Sequence, residues 1–314
     1  MDLYNIKGTK LEGISVDPFK LEKDIQSIVE NNTETLFNVE FVSTEFSIGN
    51  YRLDSLCFDH ETNSFVIIEY KKGRSYSVID QGYSYLSIML NNKSDFILEY
   101  NEKTNKNLKR SEVDWSQSKI IFVSPSFNSY QKNSVNFKDV PFELWEISKY
   151  SNNTVSLNQI ITKSKESINK LSTNTNKTSI IQKVNKEIKV YDESDFVGYI
   201  GKELEQPYTK LRDKLLEWDN VSLKFKNNYI GVWKNKSVIV YINKGKKYLS
   251  IELVRSVSWK GLFPKGKEFI LDDPKKLFKL FEDKYRRQYY YHLKDIKDLD
   301  YITMMIKQKY EDMK

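Results

Sequence analysis

The run Phe65-Val66-Ile67-Ile68-Glu69-Tyr70-Lys71 constrains this chain more than any other segment. Four consecutive apolar residues, most of them β-branched, predict a strand, and the short turns before it imply an antiparallel meander with its neighbours. The strand period of two then puts Glu69 and Lys71 on one face and Tyr70 on the other. An apolar strand that ends in Glu-x-Lys is costly as pure scaffolding. Taking a carboxylate and an ammonium out of water raises the free energy unless another interaction offsets it. A divalent cation on the carboxylate, with phosphate or an attacking water beside the lysine, would supply that offset.

The preceding run, Tyr51-Arg52-Leu53-Asp54-Ser55-Leu56, predicts a neighbouring strand joined through a turn at His60-Glu61-Thr62-Asn63. If that turn pairs the two strands, positions summing to roughly 123 lie opposite one another, and Asp54 comes level with Glu69. Two hard oxygen ligands side by side, completed by a backbone carbonyl and waters, suit Mg²⁺, or Mn²⁺ in its place, and leave positions open for substrate.

Around this pair the sequence predicts the order α-β-β-β-α-(α)-β-α-β. Asp17-Pro18 opens a helical pattern with Leu21, Ile25 and Ile28 in phase, Asp17 standing as N-cap. Strands are expected over 39–48, 51–58 and 64–71, a helix over 77–90 and another over 94–101. A buried strand at 119–124, a helix at 130–135 and a strand at 142–147 complete this half. The stretch 151–189 is rich in Ser, Thr, Asn and Lys and reads as a linker. Short apolar patterns at 157–161 and 180–188 inside it are candidates for a terminal strand and a short helix. Three regions are therefore expected: a first domain over 1–150, a linker over 151–190 and a basic α+β domain over 191–314.

Composition narrows the chemistry. A single cysteine, Cys57, excludes an intramolecular disulfide and a zinc site of several thiolates. His60 and His292 are the two histidines and lie far apart in sequence, which disfavours a histidine zinc site or a Ser/His/Asp triad. Carboxylates and lysines are left as the reagents. With no apolar run of membrane-span length and no secretory pattern over 1–20, a cytoplasmic protein with no membrane partner is expected. The charge is polarised: residues 1–150 hold 17 Lys and Arg against 22 Asp and Glu, whereas 191–314 hold 26 against 19. An acidic front and a basic rear suit a polyanion gripped by the rear.

Arg52-Leu53-Asp54, a spacer and Ile68-Glu69-Tyr70-Lys71 resemble motifs II and III of the PD-(D/E)XK nuclease superfamily. The resemblance covers roughly residues 15–150 and is nearest to archaeal and actinobacterial endonucleases that cut near branched or mismatched DNA. It implies a restriction-endonuclease-like αβββαβ core, an α/β fold, followed here by a smaller α+β domain. Gln81 and Tyr85 resemble the Gln-x-x-x-Tyr element of RecB-like members, and their spacing of four puts them on one helical face. Glu22 is similar to the acidic residue that some members present from the first helix, with Glu30 a weaker candidate. The resemblance implies that Asp54 and Glu69 hold Mg²⁺, that Lys71 orients water or stabilises charge on the phosphate, and that Glu22 completes the metal shell. Gln81, Tyr85 and Arg74 would contact the substrate backbone or brace the site. Plainer roles stand beside these: Tyr85 in the core, Glu22 as a solvated helix carboxylate, Arg74 as a turn charge.

The rear region resembles an uncharacterised domain that often trails such nucleases and has sometimes been labelled a transport protein, a label that no membrane segment supports. Helices are expected at 208–218, 277–285 and 299–310, with strands at 221–225, 229–234, 237–243 and 248–253. Its cations interleave with aromatics, as in Lys224-Phe225-Lys226, Trp233-Lys234, Trp259-Lys260 and Arg286-Arg287 before a run of tyrosines. Arg286 and Arg287 are candidate substrate contacts; Trp233 and Trp259 are as readily core residues. The sequence thus points to a Mg²⁺-dependent DNA endonuclease in repair or in defence against foreign DNA. RNA stays open as a substrate, because nothing in the sequence reads or rejects a 2′-hydroxyl. Double-strand cutting would call for two sites and hence a homodimer. The alternative is a non-catalytic nucleic-acid-binding or protein-interaction module on a degenerate nuclease fold.

Overall fold

In the computed structural model, a hairpin of β1 (Leu3–Lys7) and β2 (Lys10–Ile14) precedes the first helix, with most of its side chains exposed. The structure describes residues 2–73, 77–161, 164–170, 176–235, 237–257, 268–283 and 286–313. The chain divides into two units, Met1–Val190 and Tyr191–Lys314.

The first helix, α1 (Glu22–Glu30), begins later than the Asp17-Pro18 signal predicts. Asp17 is engaged elsewhere, by Lys149. Its N–H donates to the Lys149 carbonyl at 2.8 Å and its carboxylate pairs with Lys149 Nζ at 2.7 Å. Leu21 takes the N-cap position, where its N–H donates to Asp24 Oδ2 at 2.9 Å, and α1 buries Ile25, Gln26 and Val29. A short α2 (Thr33–Phe37) ends at Asn38 in the left-handed conformation.

Three antiparallel strands follow: β3 (Glu40–Ile48), β4 (Tyr51–Asp59) and β5 (Ser64–Tyr70), with every residue of β5 buried. The two-residue turn between β3 and β4 places Gly49 at φ +56°, a conformation that costs glycine little. Ser55 pairs with Ile68, so the β4–β5 register is the expected sum of 123. Two helices, α3 (Val78–Asn91) and α4 (Lys93–Thr104), lead to β6 (Lys119–Ser124), which lies parallel to β5. After α5 (Ser129–Ser134), β7 (Phe142–Lys149) lies parallel to β6, and β8 (Val155–Ile160) turns back antiparallel to β7. The sheet order is β3-β4-β5-β6-β7-β8. The expected αβββαβ core is present, and the fold class is α/β.

The expectation of a linker over 151–190 is corrected. Val155–Ile160 pairs along the edge of the sheet, and α6 (Asn176–Glu187) packs against α3, with Val184 and Ile188 buried in the same core as Val78, Leu86 and Met89. The terminal strand and short helix suggested by the apolar patterns at 157–161 and 180–188 are both present; the polar composition around them hid only that they belong to the first unit.

The two sheet faces carry separate cores. Leu56, Phe65, Ile67, Ile120 and Phe122 pack with α3 and α4, while Cys57, Val66, Ile68, Tyr70 and Ile121 pack under α1. This alternation places Glu69 and Lys71 on the α3 face.

The second unit begins with α7 (Glu193–Tyr199) and α8 (Lys202–Leu216) and ends in α9 (Leu299–Asp312). Between them β9 (Val221–Phe225), β10 (Tyr229–Lys234), β11 (Ser237–Asn243), β12 (Leu249–Val257), β13 (Lys279–Glu282) and β14 (Arg286–Leu293) form an antiparallel sheet of order β13-β14-β12-β11-β10-β9. Within the segment 277–285, expected as a helix, Lys279–Glu282 is instead a strand. Leu280 pairs with Tyr289 across the hairpin, and Asp283 closes its end by donating its N–H to the Arg286 carbonyl and accepting the Arg286 N–H at Oδ1.

Candidate active site

Asp54 sits at a gap in the sheet. The β4–β5 ladder ends at Ser55 and Ile68, and one residue further the Asp54 side chain takes over, Oδ2 accepting the Tyr70 N–H at 2.9 Å. On the other side, Glu45 would stand opposite Asp54 but is left out of the ladder, with φ at +52°. A left-handed non-glycine residue inside a strand is strained, and such strain concentrates at functional sites. The backbone carbonyl of Asp54 instead accepts the Gln26 Nε2 amide at 3.3 Å.

Glu69, at the end of β5, is buried. Its Oε1 accepts Lys71 Nζ at 2.7 Å and Gln81 Nε2 at 2.6 Å, with the Tyr85 hydroxyl at 3.5 Å. Its other oxygen, Oε2, is buried with no hydrogen-bond partner. Burial, and then the Asp54 charge, push the Glu69 carboxyl up to about 7 against the pull of Lys71 and Gln81. Asp54 is raised as well, by burial first, while the Tyr70 N–H and Lys71 act to lower it. Burial works to lower Lys71, but Glu69, Asp54 and Glu22 outweigh it and hold the ammonium above its ordinary value.

The structure therefore brings together Asp54, Glu69, Lys71, Gln81 and Tyr85. Gln81 Nε2 also donates to the Tyr85 hydroxyl at 2.9 Å, and that hydroxyl donates to the Arg52 carbonyl at 3.3 Å. Tyr85 is thus both a core residue and a brace for Glu69. Glu22 stands at the edge: exposed on α1, its Oε2 accepts the Lys72 N–H at 2.9 Å. Among the described residues no three His, Cys, Asp or Glu groups cluster closely enough to form a complete ion cage. What the site offers is a carboxylate pair with one orphaned buried oxygen. That donor set fits a hard divalent ion which keeps water or substrate in most of its positions.

Arg74 lies outside the described residues, as does Trp259. Arg286 and Arg287 belong to the second unit and face carboxylates there: Arg287 Nη1 lies 2.6 Å from Glu268 Oε1 and Arg286 Nε 3.6 Å from Asp283 Oδ2. Trp233 is buried, with Lys224 Nζ 3.9 Å from its ring centroid.

Two residues of the site escaped the sequence reading. Gln26 is buried and its Nε2 reaches Glu30 Oε1 at 2.8 Å, Thr44 Oγ1 at 3.0 Å and the Asp54 carbonyl. Glu30 also accepts from Ser55 Oγ at 2.7 Å, and Ser55 lies 2.9 Å from the Tyr70 hydroxyl. The available signal was the spacing: Glu22, Gln26 and Glu30 recur every four residues and so share a helical face. Glu45 carried no such signal. It pairs with Arg52 at 3.0 Å and Lys23 at 3.5 Å, and its charge helps raise Asp54.

No protein-family model matches the sequence. A protein of Haemophilus influenzae, described as uncharacterized, is 41% identical over 316 residues, covering 99% of this chain and 100% of that one. Among solved structures, the EndoMS-dsDNA2 complex aligns with a TM-score of 0.28 and 16% identity over 46% of this chain. A repair endonuclease from Pyrococcus abyssi aligns at 0.22 and 17% over 38%. The alignments span 64% and 45% of those two chains.

Proposed function

For this chain, which belongs to the same family as the Haemophilus influenzae protein, we propose metal-dependent hydrolysis of DNA phosphodiester bonds by Asp54, Glu69 and Lys71. One observation carries the reading: Glu69 Oε2 is buried and unpartnered on the sheet face it shares with Asp54, while Lys71 Nζ and Gln81 Nε2 both donate to Oε1. A structural carboxylate would be satisfied on both oxygens. A carboxylate that awaits a cation would not.

Asp54 and Glu69 would hold Mg²⁺ or Mn²⁺. When bound, such an ion polarises the scissile phosphate and lowers the pKa of a coordinated water. Lys71 and Gln81 fix Glu69 through Oε1, with Tyr85 holding the Gln81 amide, and so leave Oε2 for the ion, while the Tyr70 N–H fixes Asp54. Lys71 stays protonated among its carboxylates, and its ammonium orients the attacking water or stabilises charge building on the phosphate oxygens. The basic second unit, with 26 Lys and Arg against 19 Asp and Glu, supports a polyanionic substrate.

The test is cleavage of labelled single-stranded, duplex, flapped and mismatched DNA, and of RNA, in Mg²⁺, Mn²⁺ or EDTA. Cutting is expected with either metal, none in EDTA, and none from Glu69→Gln. Cutting that persists in purified Glu69→Gln and Asp54→Asn overturns the assignment. Silence of the wild type on every substrate does the same and leaves a binding module on a nuclease fold.

A further inference from the structure

The second unit puts all its described helices on one side of its sheet. Residues from α7, α8 and α9, among them Phe196, Leu211, Leu215, Ile302 and Met305, share a core with Ile242, Ile251, Leu253 and Leu293 of the strands. The opposite face has no described helix over it, and its composition is unlike a solvated sheet surface.

Strand pairing fixes what that face presents. Ser250 pairs with His292 and Glu252 with Tyr290, while their neighbours Ile251 and Leu293 point into the core. Tyr248, Tyr290 and His292 therefore project to the side opposite the described helices. Tyr248 stacks on His292 with ring centroids 3.9 Å apart and planes 18° from parallel, and Tyr290 lies 5.4 Å from the same imidazole. Tyr248 is 38% exposed and His292 is exposed too, so this stacked pair, each ring covering one face of the other, is open to solvent in part. Further along the sheet, Tyr229 and Tyr241 meet edge to face at 5.1 Å.

Lysines stand next to these rings in the sheet: Lys279 of β13 pairs with Tyr290, and Lys294 follows the Leu293 that pairs with Leu249. Burial, and then these two charges, lower the His292 pKa. Glu252 is the acidic residue on this part of the face, and both its oxygens are engaged: Oε1 accepts Ser250 Oγ at 3.1 Å and Oε2 accepts Gln288 Nε2 at 2.9 Å. The charge pattern of the whole chain agrees. Residues 1–190 hold 24 Lys and Arg against 24 Asp and Glu, so the entire net charge of +7 belongs to 191–314. Residues 220–251, which build β9, β10, β11 and the start of β12, contain seven lysines and no carboxylate.

We propose that the sheet face opposite the described helices of the second unit is a binding platform for single-stranded nucleic acid, with unpaired bases stacked on Tyr248, Tyr290 and His292 and the phosphates held by the lysines around them. Exposed rings on a flat sheet suit splayed-out bases, whereas a duplex buries its base faces and offers only edges and backbone. The platform stands apart from the hydrolytic reading: it needs neither Asp54 nor a metal ion.

The experiment is fluorescence anisotropy with the full chain, a fluorescein-labelled 20-nucleotide oligothymidine and its duplex, in EDTA so that cleavage plays no part. Wild type is expected to bind the single strand more tightly than the duplex. Tyr248→Ala and Tyr290→Ala should each weaken it by roughly 5- to 100-fold, the effect of losing one base–aromatic stack. Tyr248→Phe and Tyr290→Phe should stay within about twofold, because phenylalanine keeps the ring face and loses only the hydroxyl. Unchanged thermal unfolding of each variant separates lost stacking from lost fold, and His292→Ala serves where a tyrosine variant unfolds. Duplex bound more tightly than single strand, no binding at all, or affinity indifferent to loss of the rings overturns the proposal. Cleavage failing while ring-dependent binding persists would overturn the nuclease reading and leave the platform standing.

Discussion

Asp54 Oδ2 accepts the Tyr70 N–H at 2.9 Å, tying one acidic residue of the site to the backbone between Glu69 and Lys71. The Asp54 side chain therefore has a structural role that its charge does not require. Asp54→Asn keeps an acceptor oxygen for that N–H, whereas Asp54→Ala leaves it unsatisfied at the end of a buried strand. Both variants are expected to lose cleavage by at least about 100-fold, the upper end of what an outer partner of a metal ligand is worth. The alanine variant alone should lose stability, by about 1–3 kcal/mol. Cleavage kinetics and urea unfolding on the same preparations separate the two roles; an active Asp54→Asn would remove Asp54 from the chemistry.

The Glu69 carboxyl, pushed up to about 7 by burial and by Asp54, makes stability depend on pH in a stated sense. Its folded-state value lies above the ordinary 4.5, so the folded protein holds this proton more tightly than the unfolded chain does. The stabilisation is complete below about 4.5 and is lost as pH rises through about 7. In EDTA, the Tm of wild type should fall relative to Glu69→Gln across that window. A bound divalent cation favours the carboxylate and reverses the trend, so Mg²⁺ should raise Tm more at about pH 8 than at about pH 5.5. Parallel Tm curves for the two proteins in EDTA would show that Glu69 titrates like an exposed acid.

The register of Asp54 against Glu69 was legible in the sequence because a single turn and a period of two leave almost no freedom once the apolar run is placed. Gln81 and Tyr85 were legible for a similar reason, a spacing of four on one helix. The gap around Asp54 was not. It depends on Glu45 leaving its ladder and on Gln26 reaching across from α1, and neither event has a local pattern. The helical signal at Asp17-Pro18 failed because a contact 132 residues away, with Lys149, claimed the capping carboxylate. The helix expected over 277–285 failed at Lys279–Glu282 because the strand partner that decides its conformation is the following segment Arg287–Tyr290, and pairing outweighs a short helical periodicity.

Gln26 holds the site from behind the sheet, within reach of the Asp54 carbonyl, Thr44 and Glu30. It touches no reacting atom and is a positioning residue. Gln26→Ala should raise the Mg²⁺ concentration for half-maximal cleavage by about 10- to 100-fold, as loss of an outer partner of a metal ligand does. The rate at saturating metal should change far less. A metal titration of initial rates distinguishes this from general destabilisation, which would lower the plateau and leave the midpoint in place.

Gly82 follows Gln81 on α3 and lets that helix close on the sheet. A Cβ added there would stand 2.4 Å from the tip of the Phe142 ring. That ring has little room to retreat, since it is buried, edge-on to Tyr83 at 5.0 Å and to Phe122 at 5.8 Å. Gly82→Ala should therefore force α3 outward and destabilise the first unit by about 1–3 kcal/mol, the usual cost of overpacking, although alanine is the better helix former. Because Gln81 rides on the same turn, its 2.6 Å bond to Glu69 should lengthen and cleavage should fall as well. The double variant Gly82→Ala with Phe142→Leu makes room at the ring and should recover part of both losses. Recovery of stability without recovery of cleavage would show that the position of α3 does not govern the site.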